Sequence, residues 1–421
     1  MLRWVLTGAA LVLLAGGAGS AQERASDQTL RFLQSRVAAD PDDPLAHNRL
    51  AGAYIRKARE GGDITYYGLA EQTAQRSLQL VSRGQVAAQA NTLLAVVQLA
   101  RHEFRDALAS VRRALDLDPS EQTPQAIAGD ALIELGEYDE AERAYARLAG
   151  LDGPRRPDAR VAYVKFLRGD TAGAVTRMRE AVARVGLSTP VGEPPAWTRV
   201  QLGHLLLATG DLAGADAAYK DASAALPGYH PALAGAAAVQ GARGHLQTAA
   251  DLYRKALEVV PLPEYAAALG DVYTRLGRTA EAGKQYALVE YIGRLSALNR
   301  TVYNRELALF YADHDRHLPQ ALELARKELQ ARRDIYSYDV LAWTLYKNGR
   351  AREAQVAMTE ALRLGTLDAR LFFHAGMIHR AQGEHDRARE ALSRALALNP
   401  HFHLLHAQVA RSVLAELQAR R

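Results

Sequence analysis

The sequence contains no cysteine. That excludes disulfides, thiolate zinc sites, cysteine nucleophiles and a lipidated N-terminal cysteine. No charge run stands out either: 52 basic and 47 acidic residues leave a net charge of +5, spread along 421 residues. A calculated pI of about 9.3 therefore gives no footprint for nucleic acid, which needs basic residues gathered on one surface. Familiar catalytic signatures are missing as well. There is no P-loop, no Gly-x-Gly-x-x-Gly after a strand, no Gly-x-Ser-x-Gly and no His-Glu-x-x-His. What is abundant is apolar surface, at 48% of residues against 24% charged, enough to exclude disorder for the bulk of the chain.

The N-terminus stands apart. Arg3 precedes the apolar stretch Val5 to Ala18, and the small residues Gly19, Ser20 and Ala21 follow. This three-part pattern is that of a secretory signal over residues 1–21, cleaved near Ala21. The apolar stretch is shorter than the ~20 residues a spanning helix needs, and no second stretch of that length occurs. The expectation is an exported protein, periplasmic or secreted, with an uncleaved N-terminal anchor as the alternative.

The remainder repeats itself. Glycines at 136, 169, 210, 244, 277, 349 and 383 are separated by 33, 41, 34, 33, 72 and 34 residues. Their surroundings recur in register. One unit carries Leu202, Gly203, Leu206, Gly210, Ala215, Tyr219, Ala222 and Pro227; the next carries Ala236, Ala237, Gln240, Gly244, Ala249, Tyr253, Ala256 and Pro261. An earlier unit keeps the spacing with His102 in the glycine's place. Spacings of three and four on each side of the glycine make every unit a pair of amphipathic helices. The small residues allow close helix approach, the tyrosine fills the space between neighbouring pairs, and proline ends the second helix.

This pattern resembles the tetratricopeptide repeat family over most of the chain. The resemblance implies an all-α fold, a right-handed α-α superhelix of about ten helical pairs over residues 44–400. Residues 22–43 would supply an N-terminal cap helix (Thr29 to Ala39) and linker. Residues 401–421 would supply a C-terminal cap, helical from His403 to Arg420, since a solenoid must cover its terminal apolar faces. Three units depart from the pattern: the first, with an insertion at 61–67; one around Tyr163, Gly169 and Ala174; and one where Asp313 to Leu318 replaces the glycine turn.

In this family the first helix of each pair lines a concave groove that holds a protein or peptide. The resemblance thus implies a non-enzymatic interaction scaffold or adaptor, needing no cofactor and no nucleic acid; with the N-terminal signal, the expected place of action is the cell envelope or secretory pathway. Helical spacing selects a stripe opposite the expected core: Tyr336, Asp339, Trp343, Tyr346 and Lys347. Neighbouring first helices add Tyr303 and Phe310 on one side and Arg370, Phe373, Met377 and Arg380 on the other. Aromatics interleaved with charge are typical of binding hot spots; the competing reading is that adjacent units fill this groove themselves. A second feature is the bare stretch Ala234, Ala238, Gly241 and Ala242, flanked by Trp197, Val200, His204 and Leu207.

The alternative function is metal binding or enzymatic work at His401, His403 and His406, three imidazoles near the start of the C-terminal helix. Asp313-His314-Asp315 offers a second grouping of metal-ligating type. The sequence leaves the partner and the oligomeric state open.

Overall fold

The computed structural model describes residues 21–149, 158–188, 190–298 and 304–419, and these are all-α. Among the described residues, ten helical pairs lie in sequence between two terminal helices. The proposed signal over residues 1–21 falls almost wholly outside the described residues. Among those residues no helix is long and apolar enough to cross a membrane.

The chain divides into two compact units between Arg160 and Val161. The N-terminal unit holds α1 (Ala21–Ala39), α2 (Pro44–Gly61), α3 (Thr65–Leu80), α4 (Gly84–Ala100), α5 (Phe104–Leu117), α6 (Thr123–Glu134) and α7 (Tyr138–Ala149). Asp43 caps α2 by accepting from the N–H groups of Leu45 and Ala46 at 2.9 and 3.0 Å, and Pro44 fits the first turn because its missing N–H is unpaired there anyway. Leu30 and Leu33 of α1 join Leu50, Tyr54, Tyr67 and Leu94 in one core, as a capping helix must.

The C-terminal unit runs from within α8 (Asp158–Leu167) through α9 (Thr171–Ser188), α10 (Glu193–Ala208), α11 (Leu212–Ala225), α12 (His230–Ala242), α13 (Leu246–Val259), α14 (Pro263–Arg275) and α15 (Thr279–Leu298). It continues with α16 (Asn304–Asp313), α17 (Leu318–Ala331), α18 (Ile335–Lys347), α19 (Ala351–Leu362), α20 (Ala369–Ala381), α21 (His385–Leu398) and α22 (His406–Ala419).

The turn between paired helices explains the 34-residue register. Gly136, Gly210 and Gly383 have φ of 79°, 78° and 76°, and His102, at the equivalent place, takes φ 65°. That left-handed conformation costs a residue with a Cβ about 1–2 kcal/mol. Where no glycine is available, at 313–318, Asp315 and His317 take it instead, at φ 53° and 44°.

Glycine inside the helices has a different purpose. Tyr219 is fully buried and its ring lies over two backbones. A Cβ at Gly203 of α10 would sit 2.5 Å from Tyr219 Cε1, and one at Gly235 of α12 closer still. Gly129 and Gly270 stand in the same relation to Tyr145 and Tyr286. Gly235→Ala is therefore expected to cost about 1–3 kcal/mol by overpacking. Gly283→Ala, on α15 with open space around it, is expected to stabilise by up to ~1 kcal/mol through helix propensity. Urea midpoints of the two variants should move in opposite directions; movement in the same direction would refute the packing account.

Candidate functional site

The first helices of successive pairs in the C-terminal unit present their small residues to a common cavity. Ala237, Ala238, Gly241 and Ala242 of α12 lie beside His204 and Leu207 of α10 and Ala268 and Asp271 of α14. Ala238, Gly241 and Ala242 of the bare stretch noted in the sequence thus form the floor, while Ala234 is buried and does not border it. The cavity measures about 310 Å³, and the far wall comes from Asp368, Ala369, Arg370 and the segment Asn399 to Leu404.

That wall follows from how this unit closes on itself. The turn after α8 touches the loop before α20, where Thr366 Oγ1 donates to the carbonyl of Leu167. Asn399 Nδ2 donates to the Leu207 carbonyl and Arg275 Nη1 to the Leu404 carbonyl, both at 2.8 Å. Leu404 reaches Gly241, where a Cβ would stand 3.7 Å from its Cδ1. The 399–405 loop therefore occupies part of the concave face. Such contacts join residues up to 199 apart, beyond the reach of any local periodicity.

The same closure decides where the aromatic stripe lies. Trp343 is 2% exposed and Asp339 fully buried, while Phe310, Tyr336, Phe373 and Met377 are also buried. The Trp343 indole stacks on His374 with centroids 4.2 Å apart and on Tyr346 at 4.9 Å, and its Nε1 donates to Asp313 Oδ1 at 2.7 Å. Asp339 Oδ1 and His374 Nδ1 are 2.7 Å apart, and Arg370 Nε lies 3.6 Å from Asp339 Oδ2. These six side chains are interior: α20, α22 and Asp313 lie against Trp343, and Phe310 packs on Tyr286. Tyr346, Lys347, Arg370 and Arg380 remain half-buried. Lys347 pairs with Asp315 at 2.6 Å and Arg380 with Glu416 at 2.7 Å. Tyr303 lies outside the described residues.

Arg370 is the one cation of the stripe that borders the cavity. Its Nε and Nη2 are buried without a hydrogen-bond partner. Burial pulls its pKa down, but the charges of Asp339 and Asp368 outweigh that and raise it above the ordinary value. It stays a guanidinium, with donors to spare.

The histidines separate. His401 is exposed beside the cavity. The C-terminal helix starts at His406 and not at His403, because His403 serves as its cap: Nδ1 accepts from the N–H groups of Leu405 and His406, both at 3.2 Å. His403 and His406 stack with ring centroids 4.2 Å apart, and one ligand atom from each lies within 4.8 Å of the other and of an Asp313 oxygen. Burial, reinforced by neighbouring cationic charge, holds both imidazoles at a pKa of about 3, so both are neutral at pH 7. His314 is the contrast. Its Nδ1 donates to the Phe310 carbonyl at 2.7 Å, and its Nε2 meets Asp271 Oδ1 at 2.7 Å. Burial lowers its pKa, but the hydrogen bond and charge of Asp271 raise it above the ordinary value on balance.

Sequence reasoning found each of these histidines but grouped His401 with His403 and His406 and left Asp313 in a separate cluster. It missed Asp271, which pairs with His314 and accepts from the Tyr286 hydroxyl at 2.9 Å. A lone aspartate on a repeat helix carries no signal that could have marked it.

Residues 237–297 and 340–401 match the tetratricopeptide repeat family model. No curated protein matches the chain. Solved structures match the chain at low identity and low TM-score. PilW, described as a widely conserved type IV pilus biogenesis factor, is 20% identical with a TM-score of 0.41, covering 48% of this chain and 92% of its own. A tetratricopeptide repeat protein from Parabacteroides merdae is 18% identical with a TM-score of 0.35, covering 66% and 99%. Yeast Tom70 is 12% identical with a TM-score of 0.37, covering 95% and 87%.

Proposed function

We propose that this chain is an exported, non-enzymatic scaffold whose C-terminal unit takes a segment of a partner protein into its concave cavity. The cavity carries the reading. About 310 Å³ is the low end of the range for ligand pockets, the size of one or two residues of a peptide and not of a folded domain. Its floor of alanine and glycine lets a backbone approach closely. The positive charge of Arg370 on the cavity wall suits a carboxylate or carbonyl of the incoming chain, and Leu207 and Leu404 offer apolar contact beside it. Of the stripe selected from the sequence, Arg370, Tyr346, Lys347 and Arg380 are the members with surface left to offer, and the buried aromatics support them from behind. Export rests on the tripartite N-terminus.

A photo-crosslinking amino acid placed at Ala238 tests this in the native host. The expected result is a discrete crosslinked protein from position 238, none from the exposed convex position Val356, and loss of the species when Ala242→Trp fills the cavity. The recovered chain should begin at Gln22. Crosslinks of equal pattern from 238 and 356, or persistence in the Ala242→Trp background, would place partner binding elsewhere.

A further inference from the structure

We propose that Asp313, His403 and His406 form a binding site for a divalent transition-metal cation of the zinc class, which fastens the 399–405 loop to the turn between α16 and α17. Two imidazoles and a carboxylate are a ligand set suited to zinc, with water completing four-coordination. One ligand atom from each residue lies within 4.8 Å of the others. A tetrahedral ion with bonds near 2.0–2.1 Å spaces its ligands about 3.4 Å apart, so side-chain rotation has to close the group by roughly an ångström.

Two observations beyond proximity point to a ligand. His406 is 6% exposed, its Nε2 faces Asp313 at 3.9 Å and its buried Nδ1 has no hydrogen-bond partner, so no protein hydrogen bond holds either ring nitrogen. Its ring stacks on Phe373 at 4.9 Å and on His403 at 4.2 Å; because imidazole lone pairs lie in the ring plane, His403 has to tilt out of this stack to share an ion with it. Asp313 is a buried carboxylate, its side chain 8% exposed, with His406 Nε2 at 3.9 Å. Its close hydrogen bond comes from a neutral group, the Trp343 indole. The basic groups around it face other carboxylates: His314 Nε2 meets Asp271, Arg370 Nε lies 3.6 Å from Asp339, and Lys347 pairs with Asp315. A buried anion without a close cation is costly, and a bound divalent ion removes that cost. The Trp343 hydrogen bond would hold the Asp313 carboxylate in place as a ligand, the usual task of an outer partner. His403 would bind through Nε2. Its ring proton then moves to Nδ1, which gives up two long capping hydrogen bonds of 3.2 Å. His401 has no part in the site.

The test uses the tag-free full chain, stripped with EDTA and titrated with Co(II). The expected outcome is a visible ligand-field absorption that saturates at one ion per chain, is displaced by Zn(II), and is accompanied by quenching of Trp343 fluorescence. Zn(II) should raise the melting temperature. Asp313→Asn, which retains an oxygen acceptor for Trp343, and His406→Ala should each weaken Co(II) binding at least tenfold, while His401→Ala leaves it unchanged. If His406→Ala loses its native circular dichroism, Asp313→Asn together with the parent's fluorescence quenching decides the matter. Absence of saturable 1:1 binding in the parent would overturn the site, as would binding that survives Asp313→Asn or disappears in His401→Ala.

Discussion

Trp343→Ala should destabilise the C-terminal unit by about 3–5 kcal/mol, the usual cost of deleting a large aromatic from a packed interior. Three losses combine in this one substitution. The indole is 2% exposed and fills the space between His374 and Tyr346. It lies within 5.6 Å of Phe373 and 5.8 Å of His406, centroid to centroid. Its Nε1 supplies the hydrogen bond at 2.7 Å to buried Asp313, and removing it leaves a desolvated carboxylate short of a donor. Trp343→Phe separates the terms: it keeps most of the volume, loses the donor, and is expected to cost about 1–3 kcal/mol. Urea denaturation followed by circular dichroism at 222 nm gives both values. A Trp343→Ala variant as stable as the parent would mean that the indole faces solvent, as a binding-stripe residue would.

The placement of Trp343 shows what the sequence made legible and what it did not. The helical pairs, their number and their turns could all be read, because each turn leaves a local mark: glycine at 210 or 383, or the substitute residues His102, Asp315 and His317 whose φ values are positive. Gly203 and Tyr219, sixteen apart, are likewise a local signal of close helix approach. Spacing also established that Tyr336, Asp339 and Trp343 share one face of α18. It could not establish whether that face is open. Burial there depends on α20, α22 and the 313–318 turn coming against it, and on the Asn399–Leu207 and Arg275–Leu404 hydrogen bonds that hold the 399–405 loop in the groove. Those contacts span 192 and 129 residues. The grouping of Asp313 with His403 and His406 is of the same kind. Two repeat units intervene between its halves, and a repeat pattern describes only what each unit does to its neighbour.

Acidification should weaken the C-terminal unit well above the pH at which its carboxylates titrate, and histidines poor in hydration, among them buried His230 and half-buried His204, supply the reason. His230, 4% exposed, has its Nδ1 2.9 Å from the Tyr265 hydroxyl, and burial holds its pKa at about 3. His204 has its Nδ1 2.7 Å from the hydroxyl of buried Tyr219, and burial likewise holds its pKa at about 3. In the unfolded chain both titrate near 6.5. The unfolded state therefore binds more protons than the folded one between about pH 6.5 and 3. Stability is fully present above 6.5 and falls as pH drops through that window. For each histidine the loss between pH 7 and pH 5 is about 2 kcal/mol, or roughly 4 kcal/mol for the pair if they act independently. His314 works in the opposite sense, because its folded pKa is raised by Asp271; its contribution is largest at low pH and is lost as pH rises through the folded value. Urea midpoints at pH 7 and pH 5 measure the balance. His230→Asn keeps an acceptor near the place of Nδ1 and cannot titrate, so it should recover its own share, about 2 kcal/mol, of a loss to which His403 and His406 also contribute. An unchanged slope in His230→Asn would show that the ring is already hydrated and accepts its proton without unfolding.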